Sequence, residues 1–416
     1  MNPFKEKGMP IDQQVMCWSE LNTKPYDPNT VHPYTRTRGI LMNGVEVEAA
    51  FFYHNFFRHT DNPELRRQLS LIRRLEQQQQ KMVNWLIPAA ETTLDVTIGY
   101  EQLAVDLTAS MAKNEPDPYV KAALDFGLIE DFDHLYRYAN LMLDNDPKKA
   151  EAIVKDLTEV MPGRPTIIEH RFPLDEVRKY IDRTTADPLT LMHISTIIAA
   201  EQQTMNFYMN VGNRLADSVG RGLYQEIGMI EEQHVTHYGS LLDPRASWFE
   251  MAVQHEYHEC YLYYSCMVSE TDDRVKSMWE KQLQCEISHL HIARENMIKY
   301  DKKDPEEIYP SSFPSPIVIE SSKDYVREVI ATQLSVTGDN FSMVPLKNDE
   351  NRERYLKYLT MVNKEDYVPS QKVITNAMDS VGMDYRIETN GAHPVDLLRD
   401  RRRIPSQDDL LNYMMS

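Results

Sequence analysis

The chain has few of the residues that build covalent or metal-thiolate frameworks. It carries four cysteines among 416 residues, at positions 17, 260, 266 and 285. None forms a Cys-x-x-Cys pair, which argues against a disulfide scaffold, an iron–sulfur ligand set or a rubredoxin-type module. Glycine is scarce, at 14 residues, and that suits packed helices better than turn-rich sheets. There is no run of 18 apolar residues, so no membrane-spanning helix is expected. The first residues, Met1-Asn2-Pro3-Phe4-Lys5-Glu6-Lys7, lack the apolar core of a secretion signal. With the absence of a cysteine framework, this places the expected compartment in the reducing cytoplasm. Positive charge is also short: 45 Lys and Arg face 64 Asp and Glu, a net charge of -19. Phosphate binding needs a basic face, so a general nucleic-acid partner is not expected. The one dense basic cluster, Arg399 to Arg403, reads as a solvated surface segment.

What the chain does have is a ladder of ligand-type residues that occurs twice. The first copy is Glu46, Glu76, Gln79, Glu101, Asp131, His134. The second is Glu201, Glu231, His234, Glu256, Glu286, His289, each 155 positions after its counterpart. The internal steps are 30, 3, 22, 30 and 3 in both. Flanking matches follow the same offset: Phe52, Tyr53 and Asn55 recur as Phe207, Tyr208 and Asn210, and Gln78 as Gln233. Such agreement points to an internal duplication.

Proline and acidic breaks divide each copy into four helices. The breaks fall at Asp61-Asn62-Pro63, near Pro88, at Glu115 to Pro118, and at Asp144-Asn145-Asp146-Pro147. In the second copy they fall near Asp217 to Gly222, at Asp243-Pro244 and near Thr271 to Asp273. The expected organisation is an irregular N-terminal arm (1–40), a first helical block with connector (41–188), a second helical block (189–320) and a C-terminal extension (321–416). In the connector, 148–161 and 175–181 read as helical. In the extension, 351–361 and 369–381 read as helix ahead of a loose tail.

A metal ligand must point inward, whereas a surface Glu sits on a polar face. Glu286 and His289 fall on the stripe Val275, Trp279, Leu283, Leu290, Ala293, Met297. Glu231 and His234 fall on Leu223, Ile227, Tyr238, Leu241. Glu201 and Glu256 also lie on apolar stripes. Asp131 and His134 do the same in the first copy, with Val120, Leu124 and Tyr138. A solitary Glu on an amphipathic helix is most often solvated. Acids on several apolar stripes are another matter, because burying them without counter-ions costs many kcal/mol. Carboxylates with imidazoles suit iron and manganese.

The order Glu, Glu-x-x-His, Glu, Glu-x-x-His resembles the ferritin-like di-iron and di-manganese carboxylate superfamily. Its motifs stand here as Glu201, Glu231-Glu232-Gln233-His234, Glu256 and Glu286-Ile287-Ser288-His289. The resemblance covers the helical blocks, roughly 41–143 and 189–300. It implies an all-α fold of two related four-helix blocks and a pair of iron ions, manganese ions or one of each. Glu201 and Glu256 would be single-helix ligands, Glu231 and Glu286 bridging ligands, and His234 and His289 terminal ones. Glu259 would be an extra ligand, as in rubrerythrin-like proteins.

The first copy departs from the pattern, with Gln79 where His234 stands and Asp131 where Glu286 stands. Glu48 competes with Glu46 for the first position. These departures predict a site that is weakened, asymmetric or lost, and favour one complete site within the second block. The other arrangement stays open. The 22 residues from His234 to Glu256 are too few for the long crossover usual in such bundles, whereas the 67 from His134 to Glu201 suffice. A site would then join Glu101, Asp131 and His134 to Glu201, Glu231 and His234.

Tyr208 and Tyr238 are the candidate catalytic side chains. Each sits two turns past an acid on the same face, although packing or hydrogen bonding to a ligand is the commoner role there. His255 and His258 read as polar-face residues or as neighbours of the ligands. The expected activity is an oxidoreductase that activates O2 or peroxide, acts on a small organic substrate and takes electrons from an external donor. Peroxide scavenging, metal storage and a scaffold with a relic site are the alternatives. Homo-oligomerisation is compatible with each.

Overall fold

The computed structural model describes residues 1–145, 148–165 and 168–416. The break expected at Asp144 to Pro147 therefore lies partly outside the described residues. The chain is all-α in class. Its helices are α1 (Trp18–Leu21), α2 (Pro33–Arg58), α3 (Pro63–Asn84), α4 (Thr93–Asn114), α5 (Pro118–Asn145), α6 (Glu151–Val154), α7 (Pro188–Val211), α8 (Ser218–Gly239), α9 (Trp248–Ser269), α10 (Asp273–Tyr300), α11 (Lys323–Gln333), α12 (Arg352–Val362), α13 (Pro369–Val381) and α14 (Gln407–Met415). One small antiparallel hairpin pairs β1 (Val336–Asp339) with β2 (Ser342–Pro345). No helix among the described residues is long and apolar enough to cross a membrane. The four cysteines are all free.

The helix ends are written in local chemistry. The Asn62 side chain accepts from the Glu64 and Leu65 amides, with Pro63 in the first turn. Thr92 and Asp95 form a capping box at α4. Asp117 accepts from the Tyr119 and Val120 amides at α5. Such caps satisfy amide groups that the helix itself leaves open. The same devices recur 155 residues on: Asp217 at α8, Ser247 with Glu250 at α9, and Asp272 at α10. Both ends of α3, α4 and α5 repeat at that offset as α8, α9 and α10, and the start of α2 repeats as that of α7.

The compact units do not follow the two sequential blocks. Unit 1 comprises Met1–Ala90, Tyr180–Gln203 and Leu242–Val318; unit 2 comprises Glu91–Lys179, Thr204–Leu241 and Ile319–Ser416. The physical reason lies in the short links. Only residues 240–247 separate α8 from α9, too few to run back along a bundle, so α8 and α9 fall in different units. Unit 1 is built on the hairpins α2–α3 and α9–α10. Unit 2 is built on the α4–α5 hairpin with α8 and the last two turns of α7.

Three local expectations need correction. The connector expected to be helical over 148–161 holds only the single turn α6. The stretch expected over 175–181 is a short 3-10 turn at Pro173–Glu176. The C-terminal tail is not loose. Val373, Ile374, Tyr385, Val395, Leu398 and Leu410 join the unit 2 core beside Leu135, Tyr138 and Ile227, and α13 packs on both α5 and α8.

Candidate metal centres

In unit 1 the inner faces of four helices bring five acids and one histidine together, all fully buried. They are Glu46 of α2, Glu76 of α3, Glu256 and Glu259 of α9, and Glu286 and His289 of α10. Two sets of ligand atoms, each within 4.8 Å, can be drawn here: Glu76, Glu256, Glu286, His289, and Glu46, Glu76, Glu259. Glu76 belongs to both. A carboxylate shared by two neighbouring sets is the geometry of a bridge between two cations.

The His289 ring is oriented by its surroundings. Its Nε2 lies 2.8 Å from the Gln14 side-chain carbonyl oxygen. That oxygen only accepts, so Nε2 carries the proton and Nδ1 faces the acids. Nδ1 lies 2.7 Å from Glu76 and 3.0 Å from Glu286. Gln79 stands on α3 as expected, and its amide donates to Glu286. The Tyr263 hydroxyl donates to Glu46. Among the described residues, both carboxylate oxygens of Glu256 and of Glu259 lack a hydrogen bond.

Burial, then the charges of Glu76 and Glu286, push Glu46 well above the usual carboxylate range. Burial, then Glu76, Glu286 and Glu46, does the same to Glu259. Burial also raises Glu256 despite His289, and with Glu286 it takes Glu76 up to about 7. Burial opposes a charge on His289 too, but Glu286 and Glu76 outweigh it and raise the imidazole. Acids in this state hold either protons or cations.

In unit 2 the corresponding residues are Glu101 of α4, Asp131 and His134 of α5, and Glu231 and His234 of α8, all buried. Asp131, Glu231 and His234 offer ligand atoms within 4.8 Å of one another, as do Glu101, His134 and Glu231. Glu231, which is Glu76 plus 155, is again the shared acid. His134 Nδ1 lies 2.9 Å from Glu231, and His234 Nδ1 lies 3.4 Å from Asp131 and from Glu231. Glu201 is buried on α7, two turns before Tyr208 on the same face. The Tyr208 hydroxyl donates to Glu101. The Tyr238 ring sits edge-on to His234 at 6.3 Å, and its hydroxyl lies against Gly127, where a Cβ would meet it at 2.0 Å.

The complete site expected within the second block is therefore not gathered as one cluster. Glu231 and His234 group with Asp131, whereas Glu256, Glu286 and His289 group with Glu76. The hairpins pair across the blocks, so each unit mixes residues of both copies.

Behind the unit 2 ligands stands a buried ion network that the sequence reading missed. His234 Nε2 is 2.9 Å from Glu130, and His134 Nε2 is 3.7 Å from Glu169. Arg171 and Arg164 hold Glu130, Arg137 holds Glu169 and Asp133, and Arg171 also reaches Glu176. Burial works against ionised acids here, but Arg137 and His134 win and bring Glu169 down to about 2. The His134 contact likewise takes Glu231 below the usual range against burial.

Glu169 is Gln14 plus 155, and both follow a repeated Gly-x-Pro by four residues: Gly8-Met9-Pro10 and Gly163-Arg164-Pro165. That motif was the available signal. Each glycine presses on the ligand helix. A Cβ at Gly8 would lie 3.0 Å from the Gln284 carbonyl, and one at Gly163 2.6 Å from that of Ile129, again 155 apart. The arm over 1–40 is thus a structured part of unit 1.

The donor sets fit a pair of divalent or trivalent cations. They combine carboxylate oxygens with imidazole Nδ1 atoms whose Nε2 sides are already engaged, as ligating histidines require. Set beside the models of known protein families, curated proteins and solved structures, the chain matches none.

Proposed function

We propose that the chain is a ferritin-like protein with two dinuclear carboxylate centres, one per unit, and that it is an oxidoreductase using O2 or peroxide. The repetition of helix ends, caps and ligand positions at one offset supports an origin by internal duplication. The observation that carries the reading is the shared acid, Glu76 in unit 1 and Glu231 in unit 2, each belonging to two overlapping ligand sets. In unit 1 the oxygens of Glu256 and Glu259, which accept no hydrogen bond among the described residues, supply the reason for cations to bind. Unpaired buried carboxylates are too costly to leave bare.

In this reading Glu46, Glu256, Glu259, Glu286 and His289 surround the Glu76 bridge. Glu101, Asp131, His134 and His234 surround the Glu231 bridge. Iron or manganese, when bound, would supply the electrons that reduce O2 or peroxide. The protein's own residues orient the ligands and move protons. Gln14, Glu130 and Glu169 fix the imidazole rings. The Tyr263 and Tyr208 hydroxyls each donate to a ligand carboxylate, so each can pass a proton to or from it. A small organic substrate and an external electron donor belong to the same proposal.

Anaerobic iron loading followed by elemental analysis tests it. The four ligand sets predict about four metals per chain. Glu76→Ala and Glu231→Ala should each retain about two, lost from their own unit. Loaded wild-type protein should then consume O2 or peroxide, and less than one metal per chain would refute the reading. Peroxide turnover with no organic substrate would point to scavenging instead.

A further inference from the structure

Unit 1 contains a half-enclosed cavity of about 120 Å³ bounded by α2, α7 and α9. Its walls are mainly apolar and include Val45, Phe52, Ile198, Ala199 and Met251. A cavity of this order accepts a molecule the size of one six-membered ring. Three features separate it from a packing void.

First, Glu48 lines it. Its Oε2 is shielded from solvent and has no hydrogen-bond partner among the described residues. A buried acceptor left open is costly unless a ligand satisfies it. Second, three other polar groups on the wall are already engaged. Asp243 is held by Arg183 and Arg245. Gln254 donates to Ser195, and His258 bonds Thr196. Glu48 is thus the open carboxylate of the wall, beside Asp243 which its arginines hold.

Third, His255 joins the cavity to the acid cluster. The ring lines the cavity and stacks on Phe52 at 5.3 Å. Its Nε2 lies 3.5 Å from Glu259, one of the acids grouped with Glu46 and Glu76. One side chain therefore separates a molecule in the cavity from the proposed ligand shell.

We propose that this cavity is the organic-substrate pocket of the unit 1 centre, and that it takes a one-ring-sized, largely apolar molecule bearing a single amino or hydroxyl donor, received by Glu48. The proposal rests on unit 1 being a metal centre. Carboxylate-bearing molecules of the same size are disfavoured, because their charge would face Glu48 across an apolar wall.

The test uses the full chain, both metal-free and loaded anaerobically with Mn(II), titrated with benzylamine, benzyl alcohol and benzoate. Calorimetry should show one site for the amine and the alcohol, with benzoate at least tenfold weaker. Glu48→Gln should weaken benzylamine at least tenfold. Met251→Trp and Leu242→Trp, which fill the cavity from its wall, should abolish binding of both ligands. Benzylamine should also alter the Mn(II) electron paramagnetic resonance spectrum of wild-type protein but not of Glu76→Ala.

The pocket is overturned if neither ligand binds, or if binding ignores both Glu48→Gln and the filling variants. It is also overturned if saturating amine leaves the Mn(II) spectrum of loaded protein unchanged. Metal content of the same samples separates the two readings. Metal uptake without amine binding removes the pocket alone. Amine binding to a chain that takes up no metal refutes the centre, and with it the pocket's role as a substrate site.

Discussion

In unit 1 the His289 Nε2 proton goes to a neutral amide, Gln14, whereas in unit 2 the two imidazoles face Glu130 and Glu169. The difference extends to every residue behind the ligands. At the 155 offset, Arg164 and Arg171 of unit 2 become Met9 and Met16, Glu130 becomes Cys285, Asp133 becomes Ser288 and Arg137 becomes Ile292. The Arg164–Glu130 ion pair is answered by a thiol–thioether contact, Cys285 to Met9 at 3.9 Å. The same helices and the same shared acid thus sit in two electrostatic environments. In unit 2 the guanidinium groups help keep Glu130 and Glu169 ionised, and His134 does so for Glu231. In unit 1 His289 opposes the rise of Glu76 and Glu256, but burial prevails and raises both, along with Glu46 and Glu259. Under the proposed reading, unit 2 would be organised before any cation arrives, whereas unit 1 would exchange protons for cations.

Replacing one member of the ion network should have the largest effect. Arg171→Met installs the residue found at the matching position of unit 1 and leaves Glu130 and Glu176 short of a partner. It should cost about 3–5 kcal/mol in urea unfolding. Met16→Leu, at the matching place in unit 1, should cost less than about 1.5 kcal/mol. Equal costs would mean the two surroundings are energetically alike.

A smaller effect is expected from exchanging the partners of the imidazoles. Glu169→Gln gives unit 2 the neutral partner of unit 1. It should lower metal affinity there about 10–100-fold, the usual effect of losing a carboxylate behind a ligating histidine. Gln14→Glu should strengthen binding in unit 1. Competition titrations in Glu76→Ala and Glu231→Ala backgrounds isolate each centre, and shifts of the same sign would break the comparison.

The gentlest contrast is with pH, in metal-free protein. Glu76 rises from 4.5 to about 7, so folded unit 1 binds protons more tightly than the unfolded chain. Its stability should fall as pH climbs from about 4.5 to about 7. Glu169 is lowered from 4.5 to about 2. Its contribution is present above 4.5 and is lost as pH falls toward about 2. Hydrogen exchange corrected for intrinsic rates should show α3, α9 and α10 opening more readily at pH 7.5 than at pH 5. Helix α8, whose Glu231 is lowered rather than raised, should lack this trend, and Mn(II) should abolish it in unit 1.

Much of this was legible in the residues. Apolar stripes at helical spacing located the ligand-bearing faces, and proline and Asx signals located the helix ends. Which hairpins share a unit was not legible, because a stripe records that a face is buried and not what buries it. Only the short 240–247 link hinted at the answer. Gln14 and Glu169 escaped notice for another reason. They lie in irregular segments, where no periodicity marks an inward-pointing side chain, and only the doubled Gly-x-Pro gave them away. The connector over 148–161 has helical composition, yet buries Val160 and Met161 beyond a single turn of helix. Tertiary contacts there override local preference.

The interleaving of the chain carries a consequence for its synthesis. Helices α2 and α3 leave the ribosome early, but α9 and α10, which complete their unit, follow some two hundred residues later. Until then the acid-bearing faces of the first hairpin have no mate. Contacts so distant along the chain delay folding and leave apolar surface open to wrong associations. A fragment ending near residue 187 would hold the first copy of the ladder and still assemble neither centre.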